Sequence, residues 1–167
     1  MYRSPHQGTD WYDTAQVCLN GHMVNAQCIA SPQHNQAHCS KCGAKSLEQC
    51  PDCGEPIRGA YHVYAWGTFN ASAVPAFCGE CGKPFPWTET VLLAAREFTH
   101  ELKELSDAEK EEISRSLTDV LSDGPKTPAA VMRVKELAQK AGKAAMEGLK
   151  SILINVACEA AKKALWP

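Results

Sequence analysis

Long apolar runs are missing from this 167-residue chain, and so are an apolar leader, an excess of charge of one sign and the residue patterns of common catalytic zinc sites. A membrane-spanning helix takes roughly 20 consecutive apolar residues. The charge-free stretch Gly59 to Gly79 is interrupted by Gly67, Asn70, Ser72 and Pro75, and the apolar run Ile152 to Cys158 is short, with lysines nearby. No transmembrane segment is expected. The N-terminus, MYRSPHQGTDWYDTAQ, lacks the apolar core of a secretory signal, so a cytoplasmic location is expected. Net charge is only -2. Five Lys or Arg stand against six Asp or Glu in residues 1–86, and twelve against thirteen in residues 87–167, so neither part is a polycation of the kind that binds phosphate backbones. No His-x-Glu triplet and no H-E-x-x-H occurs, which removes the deaminase and metalloprotease patterns.

Cysteine is plentiful and unevenly placed: eight of the nine lie between Cys18 and Cys81, and only Cys158 lies beyond. In a reducing compartment, clustered cysteines at short regular spacing read as metal ligands rather than disulfides. Three C-x-x-C pairs, Cys39/Cys42, Cys50/Cys53 and Cys78/Cys81, are each followed at once by glycine. Two thiolates at this spacing reach one ion from a tight turn, and the glycine accepts the positive φ that closes the turn. Tetrahedral zinc takes four ligands, so two closed sites need a fourth pair. Cys18 and His22, around Gly21 in CLNGH, supply it best. Cys28 is the alternative to His22, or else a small buried residue. Two structural zinc ions are the expected cofactors, because closed four-ligand sites leave no position for substrate.

The pairs could combine in order along the chain or interleave as in cross-brace domains. The seven residues between Cys42 and Cys50 favour the sequential arrangement, one ribbon leading into the next. An interleaved arrangement would point instead to a RING-like ligase module, and free C-x-x-C pairs to thiol redox chemistry. Between Cys53 and Cys78 the composition predicts a strand, a turn near Gly67 to Ser72 and a return strand. Tyr61, Tyr64, Trp66 and Phe69 on that hairpin are expected to fill a small core. His34 and His38 read as solvated loop residues and His62 as a surface-face residue of a strand. A nucleic-acid-associated ribbon is the competing reading, since such aromatics can stack on bases, but no basic patch accompanies them.

From Trp87 onward apolar residues recur at helical spacing. Residues 88–105 place Val91, Leu92, Ala95, Phe98, Leu102 and Leu105 on one stripe, with Thr88 as N-cap and Trp87 stapling onto Leu92. Ser106-Asp-Ala-Glu109 is a capping box opening a second helix, which Ser122-Asp-Gly-Pro125 ends, and Thr127-Pro128 caps a third. A last helix is expected from Gly142 nearly to the end. Its lysines would suit a membrane surface, but Glu147 and Glu159 dilute them and packing in a bundle is the simpler reading. Ile154, Cys158 and Leu165 fall off its main stripe, which predicts a second contact surface for a copy of the chain or a protein partner.

The expected architecture is therefore α+β: tandem zinc ribbons of short β-hairpins in residues 1–86, then an all-α region of three or four helices in residues 87–167. The segments WYDTAQVCLNGH, CSKCG, CPDCG, FCGECGKPFPWTE, ELSDAEKEEI and AAKKAL together resemble the bacterial domain-of-unknown-function family 2321. That resemblance implies a double zinc ribbon joined to a helical region, with Cys18, His22, Cys39, Cys42, Cys50, Cys53, Cys78 and Cys81 at the family's metal positions. It implies no activity. The function expected from these readings is a non-enzymatic protein-interaction or assembly module.

Overall fold

The computed structural model describes residues 8–69 and 73–166. The chain divides into two units, Met1–Thr88 and Glu89–Pro167, with the division inside the first turn of a helix.

The first unit holds two three-stranded antiparallel sheets. Strands β1 (Trp11–Thr14), β5 (Arg58–Val63) and β6 (Gly67–Phe69) form one in that order, and β3 (Met23–Asn25), β2 (Gln16–Cys18) and β4 (Ser46–Leu47) form the other. The chain crosses between sheets at the fully buried Ala15, whose amide donates to the Ile57 carbonyl at 2.7 Å. Backbones crowd there. The Ala60 amide donates to the Ala26 carbonyl at 2.8 Å, and a Cβ on the intervening Gly59 would overlap that same carbonyl and the backbone of Thr14. Only glycine fits.

The hairpin expected after Cys53 is present as β5 and β6, but its turn comes earlier, at Tyr64–Trp66. Ala65 takes a left-handed φ of 65°, and the Asp10 carboxylate accepts from the Tyr64 amide at 2.8 Å. That remote anchor overrides the local turn preference of Gly67. Asn70 to Ser72, the rest of the expected turn, lie outside the described residues. The aromatics are also placed differently from expectation: Tyr64, Trp66 and Phe69 are 65%, 84% and 60% exposed. Val17, Ile57, Ala60, Phe85 and Trp87 are buried in the unit's core instead, with the rings of Phe85 and Trp87 stacked at 4.5 Å.

Five helices follow among the described residues: α1 (Pro86–Glu101), α2 (Asp107–Leu121), α3 (Thr127–Ala141), α4 (Lys143–Leu153) and α5 (Glu159–Leu165). Helix α1 starts two residues before the predicted cap, with Pro86 in its first turn, where a missing N–H costs nothing. Thr88 is inside the helix and donates its hydroxyl to the Ala76 carbonyl at 2.7 Å, while the buried Trp87 donates its indole N–H to Pro75 at 2.8 Å. The capping box of α2 forms as read, the Ser106 side chain accepting from the Glu109 amide and the Glu109 carboxylate from the Ser106 amide. Thr127 holds the turn before α3 rather than capping it: its hydroxyl accepts from the Gly124 amide at 2.9 Å and donates to the Ser122 carbonyl at 2.5 Å.

Helix α3 packs against α2, α4 and α5. Ile113, Leu117, Val131, Val134, Leu149 and Leu153 are buried. The single last helix expected from the sequence is two, because residues 154–158 turn back. The Cys158 amide donates to the Val120 carbonyl at 3.4 Å, and the Lys135 ammonium donates to the Ala164 carbonyl at 2.8 Å. This reversal buries Ala161 and Leu165, so Leu165, which predicted an outer contact surface, belongs to the unit's own core.

Candidate metal centres

Each C-x-x-C-G segment folds into the same knuckle. The amide of the first cysteine donates to the carbonyl five residues on (Cys39 to Ala44, Cys50 to Glu55, Cys78 to Lys83, each 2.8 Å), and the following glycine amide donates back to that cysteine's carbonyl at 2.8 to 3.0 Å. Gly43, Gly54 and Gly82 take φ of 72°, 77° and 72°, the left-handed conformation that glycine adopts without a Cβ penalty. Flanking bridges repeat at the same offset, His38 with Lys45, Gln49 with Pro56 and Phe77 with Pro84. In each knuckle the first sulfur residue is buried and the second exposed. Cys18 and His22 use a tighter variant, with the Gly21 amide donating to the Cys18 carbonyl at 2.8 Å and the Cys18 amide to that of His22 at 3.0 Å.

The knuckles converge in two groups of four: Cys18, His22, Cys39 and Cys42, and Cys50, Cys53, Cys78 and Cys81, with the donor atoms of each group within 4.8 Å of one another. All eight sequence-derived positions are brought together, and the grouping is sequential. The interleaving that a cross-brace module needs is not what this chain does. Cys18 Sγ lies 3.6 Å from His22 Nδ1 and 3.8 Å from Cys42 Sγ, and Cys39 Sγ lies 3.7 Å from the same ring nitrogen. In the second group Cys50 and Cys81 are 3.8 Å apart and Cys53 and Cys78 3.7 Å. A tetrahedron with metal–sulfur bonds of about 2.3 Å has sulfur–sulfur edges of about 3.8 Å. The donor atoms therefore fit one small tetrahedral ion per group.

Electrostatics also favour a cation. The Ala44 amide, with lesser help from neighbouring side chains, lowers the Cys42 thiol to about 6, and the amides of Cys81 and Glu80 lower Cys78 to about 7. Cys53 also receives an amide, from Glu55, yet desolvation and the packed thiols of Cys78, Cys81 and Cys50 push it up to about 12. Oriented N–H groups thus favour one thiolate in each group, whereas burial and the adjacent thiols hold Cys18 in the first group and Cys53 and Cys81 in the second above the usual thiol range.

Cys28 stands apart from both groups. It is buried, its thiol donates to the Asn25 carbonyl at 3.7 Å, and burial, with the nearby charges of Glu48 and Asp13, pushes it up to about 12. His22 therefore completes the first group. His38 pairs through its backbone with Lys45 and is exposed, like His34.

His62 is half-buried and tied into the sheet rather than left free on its face. Its ring stacks on Trp11 at 4.3 Å, and Nε2 lies 3.1 Å from the buried Asp13 carboxylate, Nδ1 2.9 Å from the Thr68 hydroxyl. Asp13 also accepts from the amides of Thr14, Ile29 and Ala30 at 2.7 to 3.1 Å. It fastens the loop after Cys28 onto β1 and β5. Sequence reading missed this cluster because an Asp in a strand carries no signal for partners so distant along the chain.

Over residues 11–165 the sequence matches the model of a family described as an uncharacterized protein conserved in bacteria, DUF2321. The chain belongs to that family. No curated protein and no solved structure matches this DUF2321 member.

Proposed function

We propose that both groups hold structural zinc and that the protein is a non-enzymatic interaction module. The observation that carries this reading is the closure of each group: four donors at tetrahedral spacing occupy every position of a four-coordinate ion, leaving none for substrate or activated water. Seven cysteine sulfurs and one imidazole are the donor set that zinc favours over harder, oxygen-seeking cations. Zinc would tie the knuckles to the two sheets, so metal binding and folding of the first unit become one equilibrium. The partner is read as a protein or a second copy of the chain. On the helical unit Met132 and Leu93 are the large apolar residues left most open, 72% and 57% exposed.

Cobalt substitution tests closure directly. Co(II) in both groups gives intense thiolate charge-transfer bands and the strong visible bands of tetrahedral coordination. Weak five-coordinate bands that shift on adding azide would reveal an open position and overturn the structural assignment.

A further inference from the structure

The first unit carries an aromatic platform that its own core does not cover. Register places Tyr12, Tyr61 and Phe69 opposite one another across β1, β5 and β6, and cross-strand partners share a sheet face. Tyr12 and Phe69 are 52% and 60% exposed, and the Tyr12 and Tyr61 rings lie 4.5 Å apart. The platform already holds a cation: the Arg58 guanidinium sits over the Tyr12 ring, 4.6 Å from its centroid. Beside it, the Tyr61 hydroxyl donates to the Asp10 carboxylate at 3.3 Å.

Charge decides what such a face takes. Residues 1–88 hold five Lys or Arg against six Asp or Glu, and the 2.7 Å Lys83–Asp52 pair takes one of each without changing that balance. Seven thiolates against two divalent zinc ions leave a further three negative charges on the proposed sites. An acidic unit repels the phosphates of nucleic acid, which need clustered Lys and Arg, and draws cations, which bind over ring faces.

We propose that the Tyr12–Tyr61–Phe69 face docks an arginine-rich segment of a protein partner, with guanidinium groups seated on the rings as Arg58 is seated on Tyr12. This rests on the zinc reading for part of its charge and names the surface and partner chemistry of the interaction module. Arg58 then acts as a built-in competitor for the Tyr12 ring.

The test is fluorescence anisotropy with labelled decapeptides of alternating arginine and serine or glutamate and serine, and with a ten-nucleotide oligothymidylate. Zinc content is measured on the same samples. The arginine peptide should bind the full-length protein and the other two should not. Tyr12→Ala with Phe69→Ala should weaken binding at least about fivefold, two exposed ring contacts being removed. Phe69→Ala alone, on an edge strand, covers the case in which the double variant does not fold. Arg58→Gln should tighten binding more than Lys45→Gln, the same charge change in the loop before β4. Zinc-loaded protein that ignores the arginine peptide, ring variants that bind it unchanged, or preference for the oligonucleotide would each overturn the proposal. Metal-free protein would overturn the zinc reading instead, and the ring variants would still decide the docking face.

Discussion

Asp13 shows how much one side chain can organise in a unit this small. It is buried, yet both carboxylate oxygens are engaged by three backbone amides and the His62 ring. Asp13→Ala strands the three amides, and at about 1 kcal/mol or more for each unpaired amide the loss is at least about 3 kcal/mol. Urea unfolding of the zinc-loaded protein should read it as a lower midpoint. Asp13→Asn keeps one acceptor oxygen and should lose less. Equal stability of the alanine variant and the parent would mean that water replaces the carboxylate freely. At this scale the metal-ligand candidates were legible and Asp13 was not, for one physical reason. A C-x-x-C-G repeat is local, all of its geometry lying within six residues, whereas Ile29 and Ala30 reach Asp13 from sixteen and seventeen residues away. The exposed aromatics misled in the opposite direction. Aromatic residues in a strand pattern suggest a core, but the core of this unit is taken by Phe85, Trp87 and Ile57.

Among elements, the helices whose ends carry their own chemistry were legible. Ser106 and Glu109 cap each other as written, and α2 stops at Leu121, one residue before the Ser-Asp-Gly-Pro breaker. The break between α4 and α5 was hidden because residues 154–158 contain neither Gly nor Pro, so the reversal comes from packing Ala161 and Leu165 inward. Gly148 records similar packing. It lies within α4 where a helix prefers alanine by about 1 kcal/mol, but a Cβ there would overlap the Phe98 ring. Gly148→Ala should therefore destabilise by about 1 kcal/mol, overpacking outweighing propensity. In a Phe98→Ala background the same substitution should stabilise by up to about 1 kcal/mol. A double-mutant cycle from thermal or urea unfolding reads the sign change, and the same sign in both backgrounds would remove Phe98 as the cause.

At the scale of the whole molecule, two units of different construction share one chain. The helical unit has a continuous buried apolar stripe from α2 to α5. The ribbon unit has strands of two to six residues, too short to hold a core without staples. The two groups of four donors are where metal ions would supply such staples, and no helix among the described residues is long and apolar enough to cross a membrane. The central claim, that two zinc ions close these groups, is tested most directly by native mass spectrometry of the full chain purified without added metal. The account predicts two zinc ions per chain, falling to one with Cys39→Ser or with Cys50→Ser and to none with both. A wild-type mass without bound metal, or the same zinc count in the Cys50→Ser variant as in the parent, would contradict it.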